Sequence, residues 1–441
     1  MPDRATSSDY AVQAQLDRLW ALSPGADVLG LERITQLLAR LGNPERDLPP
    51  VFHVAGTNGK GSTCAFLRAA LEAAGHRVHV YSSPHLVCFN ERIRLAGQLI
   101  DDAALAALLY EVLHVADGIG ASFFEVTTAA AVLAFARTPA DACVIEVGLG
   151  GRLDATNVVT PLVTGIAALG IDHEAFLGNT LIGIAAEKAG IAKPGVPLAT
   201  MAYPPEIAAR IADVAAAARA PVAAMEDAWS IEQGGDRIVY REANGYGLEL
   251  APPAMPGAVQ AENYALAIAM LRHQQAIAVP ESALRVAGQT ASWPARMQRL
   301  NPGPLVDRLP LEQRRYGVWV DGAHNVSAAE RISDTYTNGV ATTLVIGMLA
   351  NKDADGVLRH LTGTSGPCTV VAVPVPGHAC QAPEHLAQIA RRHGASATFT
   401  APSLHAAFDV LASQDRGCSV LIAGSLYLAG EALSANDELP T

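Results

Sequence analysis

The sequence predicts an α/β protein in two domains, each organised on a mostly parallel sheet, and three observations carry that prediction. Short β-branched runs alternate with Ala- and Leu-rich helical stretches, which is the pattern of strand–helix–strand crossover units. The chain has 441 residues, more than one core usually organises. The alternation breaks once, past the middle, and then resumes as a fresh series of strands.

Taken in order, "PPVFHVAG" reads as a strand, "GSTCAFLRAALEAAG" as the helix that follows and stops at a glycine, and "HRVHVYSS" as the next strand. The series continues through "DACVIEVG", "PLVTGIAALG" and "GVPLATM". Between residues 229 and 250, Gly-Gly and Asn-Gly turn signals separate alternating residues, which predicts a hairpin or small antiparallel sheet. Two helices follow, and then the proline- and arginine-rich "SWPARMQRLNPGPLVDRLP". The domain boundary is placed there, giving domains of residues 1–293 and 294–441. The second domain opens a new strand series with "YGVWVDGAHN", "TTLVIGML", "CTVVAVPV", "SATFTAP" and "CSVLIAGS". The Ala-rich "IAARIADVAAAARA" reads as scaffold.

Composition narrows the function. Half the residues are hydrophobic and 17% are charged, as in a globular chain. The net charge of -12 argues against nucleic-acid or acidic-membrane partners, so any anion site must be local. Cys64, Cys88, Cys143, Cys368, Cys380 and Cys418 show no paired or metal-ligand spacing and read as reduced thiols. The first residues lack the apolar core of a signal peptide, and "VVTPLVTGIAALGI" is too short to span a bilayer and carries Pro161. These features point to the cytoplasm and away from a membrane.

The chemistry begins at "VFHVAGTNGKGSTCAF", residues 51–66. A glycine-rich turn between a strand and a helix directs successive N–H groups at phosphate oxygens, and the helix N-terminus adds partial positive charge. Lys60 would contact the terminal phosphates, and Ser62 or Thr63 can reach a magnesium ion from the first turn. The loop departs from the common template, with Val54 at the first glycine position and Gly61 inserted after Lys60. By itself it indicates only a nucleoside triphosphate.

Four downstream stretches offer metal or catalytic groups. In "YSSPHL", Ser82 and Ser83 end a strand, where ligands of open α/β sheets bind. In "VIEVGLGGRLDATN", Glu146 interrupts an apolar strand, and a buried carboxylate is costly unless paired or coordinated to a hard cation. In "LGIDHEAFLGNT", Asp172 and His173 follow an apolar strand. In "IAAEKAGIAKPG", Lys188 sits on a helix among apolar neighbours. A desolvated lysine loses basicity and can add carbon dioxide to form a carbamate, an oxygen ligand for magnesium.

With "VAGTNGKGST", "YSSPHL", "FNERIR", "EVGLGGRLDATN", "DHEAFLGNTLIGIAAEKAGI" and "DGAHN" in this order, nearly the whole chain resembles folylpolyglutamate synthases and dihydrofolate synthases of the Mur ligase superfamily. The resemblance implies an N-terminal P-loop domain and a C-terminal Rossmann-like domain, closing over a cleft that holds ATP, magnesium and the pterin substrate. It implies that Thr57, Asn58, Gly59, Lys60, Gly61 and Ser62 bind ATP, with Asn263, Arg296, Asp321 and His324 completing the nucleotide site. Ser83, Glu146 and His173 would ligate magnesium, two ions in all, with Lys188 as a carboxylated lysine, and Lys60, Glu146, His173 and Lys188 would carry catalysis. Pterin contacts map to Gly30, Leu31, Glu32 and Arg33, to Ser122 and Phe124, and to Asp154, Ala155 and Asn157.

Two departures stand out: Pro294-Ala295-Arg296 replaces a more usual Pro-Gly-Arg, and Ser122 stands where threonine is common. The implied reaction joins L-glutamate to dihydropteroate, or to a reduced folate, through an acyl phosphate made by ATP, in an enzyme acting as a monomer. Folate extension alone, or a Mur-type ligase acting on a different substrate, stays open on the sequence.

Overall fold

The structure, a computed structural model, describes residues 6–22, 29–336, 342–362, 368–414 and 418–441, with backbone alone for 333–336. It divides into two compact units: Met1–Ala254 with Val259–Ser292, and Met255–Ala258 with Trp293–Thr441.

The first unit is built on eight strands: β1 (Val51–Ala55), β2 (Val78–Tyr81), β3 (Ile93–Leu95), β4 (Gln98–Leu99), β5 (Ala142–Glu146), β6 (Val163–Ile166), β7 (Leu198–Thr200) and β8 (Val222–Ala224). They lie in the order β4-β3-β2-β5-β1-β6-β7-β8. From β2 to β8 every neighbouring pair is parallel. The sequence of β1, "VFHVA", is buried at all five positions, as expected of a parallel strand covered on both faces. The register sets Val54 opposite Glu146 and Ala55 opposite Ile166, so the carboxyl ends of β5, β1 and β6 stand side by side.

At one edge the sheet turns antiparallel, where β3 and β4 form a hairpin beside β2. The sequence reading had placed antiparallel structure only after residue 229. The signal for this earlier hairpin is the Ala96-Gly97 turn, with φ of 47° and 93° at its two positions, inside "RIRLAGQLI".

The helix Lys60–Ala73 crosses from β1 to β2, and residues 61–67 of it are all buried. It packs on the helices Val259–Arg272 and Glu281–Thr290, with Phe66 stacked on Tyr264 at 4.8 Å between ring centres. Further helices, Tyr10–Leu22, Glu32–Arg40, Asp102–Val115 and Phe123–Arg137, bury Leu16, Leu37, Leu109, Val126 and Phe135 in one cluster with strand residues Tyr81 and Ile145. β9 (Trp229–Gly234), β10 (Arg237–Glu242) and β11 (Gly247–Leu250) make the separate antiparallel sheet. Its Glu242 carboxylate accepts from Arg272 of a packed helix, which anchors the sheet.

The second unit has β12 (Gln298–Arg299), β13 (Val318–Val320), β14 (Thr342–Ile346), β15 (Cys368–Ala372), β16 (Ala397–Thr400) and β17 (Ser419–Ala423), in the order β12-β13-β17-β14-β15-β16. All pairs but β12–β13 are parallel. Its core packs Leu344, Ile346, Val370 and Leu421 against helix residues Val357, Leu358 and Leu386. Among the described residues no helix is long and apolar enough to cross a membrane. All six cysteines are free thiols.

Candidate active site

The phosphate loop follows β1 directly and is fixed by its neighbours. Thr57 and Asn58 donate their N–H groups to the Ala168 carbonyl at 2.9 and 3.1 Å, and the Thr57 hydroxyl donates to the Gly170 carbonyl at 2.9 Å. Gly59 caps the helix with φ of 83°, a conformation L side chains rarely adopt, and a Cβ there would lie 2.3 Å from Asn263 Oδ1. Asn263 is therefore seated on the loop from the helix Val259–Arg272, 3% exposed. Lys60 opens the helix, and its Nζ donates to the Gly56 and Thr57 carbonyls at 3.1 and 3.3 Å.

The two hydroxyls left open by the sequence separate here. Thr63 Oγ1 donates to the Gly59 carbonyl at 3.0 Å. Ser62 Oγ, on a residue 1% exposed, has no hydrogen-bond partner among the described residues. An orphaned buried hydroxyl one position after Lys60-Gly61 is a donor atom suited to a hard cation.

Ser83 and Glu146 come together beside that loop, at the ends of β2 and β5: the Ser83 N–H donates to Glu146 Oε2 at 3.4 Å, and Glu146 is 5% exposed. Lys188 lies on the helix Leu181–Ala189, 4% exposed, and its Nζ donates to the Gly56 carbonyl at 2.8 Å. That carbonyl thus accepts from both Lys188 and Lys60. Burial first, and the Lys60 charge second, push the Lys188 ammonium down to about 7, while Asp172 and Asp154 act in the opposite direction. A lysine poised there is neutral often enough to react as an amine at neutral pH.

His173 is placed differently from the strand end read in the sequence. β6 stops at Ile166, and His173 stands exposed in the left-handed region, φ 53°, heading the one-turn helix Glu174–Leu177. Its own N–H donates to Asp172 Oδ1 at 2.7 Å. Among the described residues no three His, Cys, Asp or Glu form a group that could hold a metal ion. The Ser62 hydroxyl and the Glu146 carboxylate are oxygen donors of the kind magnesium takes.

A second cluster lies around the helix Phe123–Arg137. Ser122 caps it in a capping box with Glu125, and the Glu125 Oε2 atom accepts from the Ser122 N–H at 2.7 Å and from Arg33 Nε at 2.9 Å. Arg33 belongs to the helix Glu32–Arg40, which Leu31 caps immediately after Gly30. Glu125 Oε1 is buried without a partner among the described residues. Phe124 lies against Gly148, where a Cβ would meet its ring at 2.3 Å. From Gly148 the loop runs to Asp154, 2% exposed, whose Oδ2 accepts the Leu149 N–H at 2.8 Å. Asp154 caps the turn Ala155–Val158, and burial raises its carboxyl above the usual carboxylate range. Asn157 Nδ2 donates to the Arg152 and Gly190 carbonyls at 3.0 and 3.2 Å, which ties this turn to the end of the Lys188 helix, and Asn157 Oδ1 is a buried acceptor without a partner among the described residues. Arg33, Ser122, Phe124, Asp154, Ala155 and Asn157 are thus linked by contacts; Glu32 is exposed.

In the second unit Arg296, Asp321 and His324 gather around one turn. Asp321 accepts the Met297 and Ala323 N–H groups at 2.8 Å each, the Gly322 N–H donates to the Ala295 carbonyl at 3.0 Å, and Arg296 Nη1 donates to that carbonyl at 2.9 Å. The His324 ring pairs with the Gly322 carbonyl at 2.8 Å. Burial raises the Asp321 carboxyl, with the Arg296 charge opposing it.

Sequence reasoning missed Glu125, His53 and Thr156. Glu125 was legible as the fourth residue of "SFFE", the spacing of a capping box, and His53 as the polar residue within an otherwise apolar strand. Thr156 carried no signal apart from its neighbours.

Residues 305–435 match the family described as "Dihydrofolate synthetase, C-terminal domain". The dihydrofolate synthase/folylpolyglutamate synthase of Escherichia coli is 35% identical over 415 residues, 93% of this chain and 92% of that protein. The structure of E. coli FolC in complex with DHPP and ADP superposes with a TM-score of 0.85 over 98% of both chains, at 32% identity. A bifunctional folylpolyglutamate synthase/dihydrofolate synthase solved with Mn, AMPPNP and L-glutamate bound gives a TM-score of 0.82 over 99% of both chains, at 32% identity.

Proposed function

The chain belongs to the dihydrofolate synthase/folylpolyglutamate synthase family, and on that premise we propose that it joins L-glutamate to dihydropteroate and adds glutamate to reduced folates. It is an ATP-dependent, amide-forming ligase. The observation that carries this reading is the Gly56 carbonyl shared by Lys60 and Lys188, because it sets a phosphate-loop lysine and a weakly basic buried lysine on one backbone atom.

In the reaction, the acceptor's carboxylate oxygen takes the γ-phosphoryl of ATP, ADP leaves, and the glutamate amine then displaces phosphate to form the amide. Lys60, with the N–H groups of the loop and first helical turn, would offset charge on the transferring phosphoryl. Arg296, Asp321 and His324 are assigned to the nucleotide, as is Asn263. Ser62, Ser83, Glu146, His173 and carboxylated Lys188 are assigned to magnesium, two ions in this reading, which when bound would supply charge neutralisation for phosphoryl transfer. Carboxylation is balanced by loss of one proton: neutral Nζ attacks the carbon of carbon dioxide, and the resulting carbamate is anionic.

The acceptor is assigned to Gly30–Arg33, Ser122, Phe124, Asp154, Ala155 and Asn157, with the buried acceptor atoms of Glu125 and Asn157 supporting recognition of an N–H-rich ring such as a pterin. Residues 1–293 are assigned to ATP and pterin, and 294–441 to the ligase step with glutamate. We further assign the enzyme to the cytoplasm, a reading the six free thiols support, and expect it to act as a monomer. Mass analysis of products tests the proposal: dihydropteroate and reduced folate should each gain one glutamyl residue, and an enzyme that glutamylates neither overturns it.

A further inference from the structure

We propose that Thr156, oriented by His53, is the positioning residue that sets the Asp154 carboxylate for the pterin-bearing acceptor; this rests on the ligase reading above. His53 sits in the middle of β1, fully buried, in the strand whose end becomes the phosphate loop. Its ring Nε2 lies 2.9 Å from Thr156 Oγ1, and the same hydroxyl donates to Asp154 Oδ1.

Proton bookkeeping fixes the direction of this chain. Both Asp154 oxygens already accept backbone N–H groups, Oδ1 from Thr156 and Oδ2 from Leu149, so the carboxyl acts as an acceptor and the threonine proton points to it. The threonine oxygen must then accept from His53, which therefore carries its proton on Nε2 and leaves Nδ1 bare. Nδ1 is buried with no partner among the described residues, so no other hydrogen bond opposes that tautomer. Burial, and secondarily the Lys193 charge, hold the ring down to about 3, so it is neutral across the working range of pH.

The hydroxyl is separable from the rest of the turn. Asp154 also accepts the Thr156 N–H at 3.0 Å and the Leu149 N–H at 2.8 Å, and both donors are backbone atoms that a side-chain change leaves in place. Lys193 Nζ, on the Asn157 carbonyl at 2.9 Å, holds the turn from another side. These backbone bonds, with a further one from Gly148, locate the carboxylate, and the hydroxyl adds the side-chain donor that sets its orientation. Through His53 that orientation is referred to β1, the same rigid strand that presents the phosphate loop.

Steady-state kinetics of the full chain test this. Thr156→Val should raise the KM for dihydropteroate about tenfold, as loss of one charge-assisted hydrogen bond implies, with a smaller change in KM for ATP and a smaller fall in kcat. Thr156→Ser should restore the acceptor KM. His53→Leu should act in the same direction as Thr156→Val, and His53→Gln, which keeps an N–H donor, should recover most of the loss. An unchanged acceptor KM in Thr156→Val overturns the proposal, as does a rise in the KM values for ATP and acceptor together, the mark of general loosening. If His53→Leu fails to fold, the Thr156 pair decides alone. A wild-type enzyme that forms no product from dihydropteroate overturns the ligase reading and this inference with it. An active wild type with an unaffected Thr156→Val overturns this inference only.

Discussion

At the scale of single residues, the account turns on atoms that the local fold leaves in unusual states. Lys188 is the first: its amine, 4% exposed and beside another lysine, is weakened by burial, donates to the Gly56 carbonyl and has two carboxylates near it. Replacing it by alanine should lower turnover by about 100-fold or more, the scale of losing a principal electrostatic group from an active site, while ATP still binds the loop. Unchanged turnover in Lys188→Ala would remove the carbamate from the account. Ser62 is the second. Its buried hydroxyl has no partner among the described residues, whereas the Thr63 hydroxyl closes onto Gly59. Titration of activity with magnesium should therefore show Ser62→Ala needing a higher concentration. Thr63→Val should leave the magnesium requirement alone and lower stability by about 1 kcal/mol, the net worth of one hydrogen bond.

At the scale of elements, two local conflicts have calculable consequences. Ala295 holds φ of 54° where a glycine is more usual, and it is fully buried. The left-handed conformation costs alanine about 1–2 kcal/mol. Against this, glycine would add about 0.4–1 kcal/mol of unfolded-chain entropy and forfeit a buried methyl of about 0.8 kcal/mol. The terms nearly cancel, so Ala295→Gly should shift stability by less than about 1 kcal/mol in denaturant unfolding. That balance explains how the linker tolerates alanine.

Glu431, on the helix Leu426–Ala435, is pushed up to about 7 by burial, and its Oε2 has no partner among the described residues. The folded chain then holds a proton that the unfolded chain releases from about pH 4.5 upward, so this group's contribution to stability falls as pH rises towards 7. Glu431→Gln should match the wild type in thermal unfolding near pH 4 and exceed it above pH 7. Equal behaviour at both pH values would contradict that burial.

At the scale of the whole molecule, the parallel architecture was legible because buried β-branched runs such as "VFHVA" and "ACVIE" recur between helical stretches and mark strands covered on both faces. The phosphate loop, Ser83, Glu146 and Lys188 were legible for a related reason: polar residues break apolar runs at strand ends or on a buried helix face. The β3–β4 hairpin was not, since three- and two-residue strands are too short for periodicity to register. His173 was read as a strand-end residue because "LGIDH" continues the apolar run in sequence, although the strand had already ended at Ile166. The roles of His53 and Thr156, 103 residues apart, and of Glu125, 92 residues from Arg33, escaped because only folding brings those partners together.

The central claim is that one chain couples ATP cleavage to amide formation on a pterin-bearing acid. Its most direct test is ADP release by the purified enzyme, measured with dihydropteroate and L-glutamate supplied singly and together. The account predicts sustained release only when both are present, with one ADP for each glutamyl amide bond formed. Release that proceeds equally without dihydropteroate, or no release under any of these conditions, would contradict it.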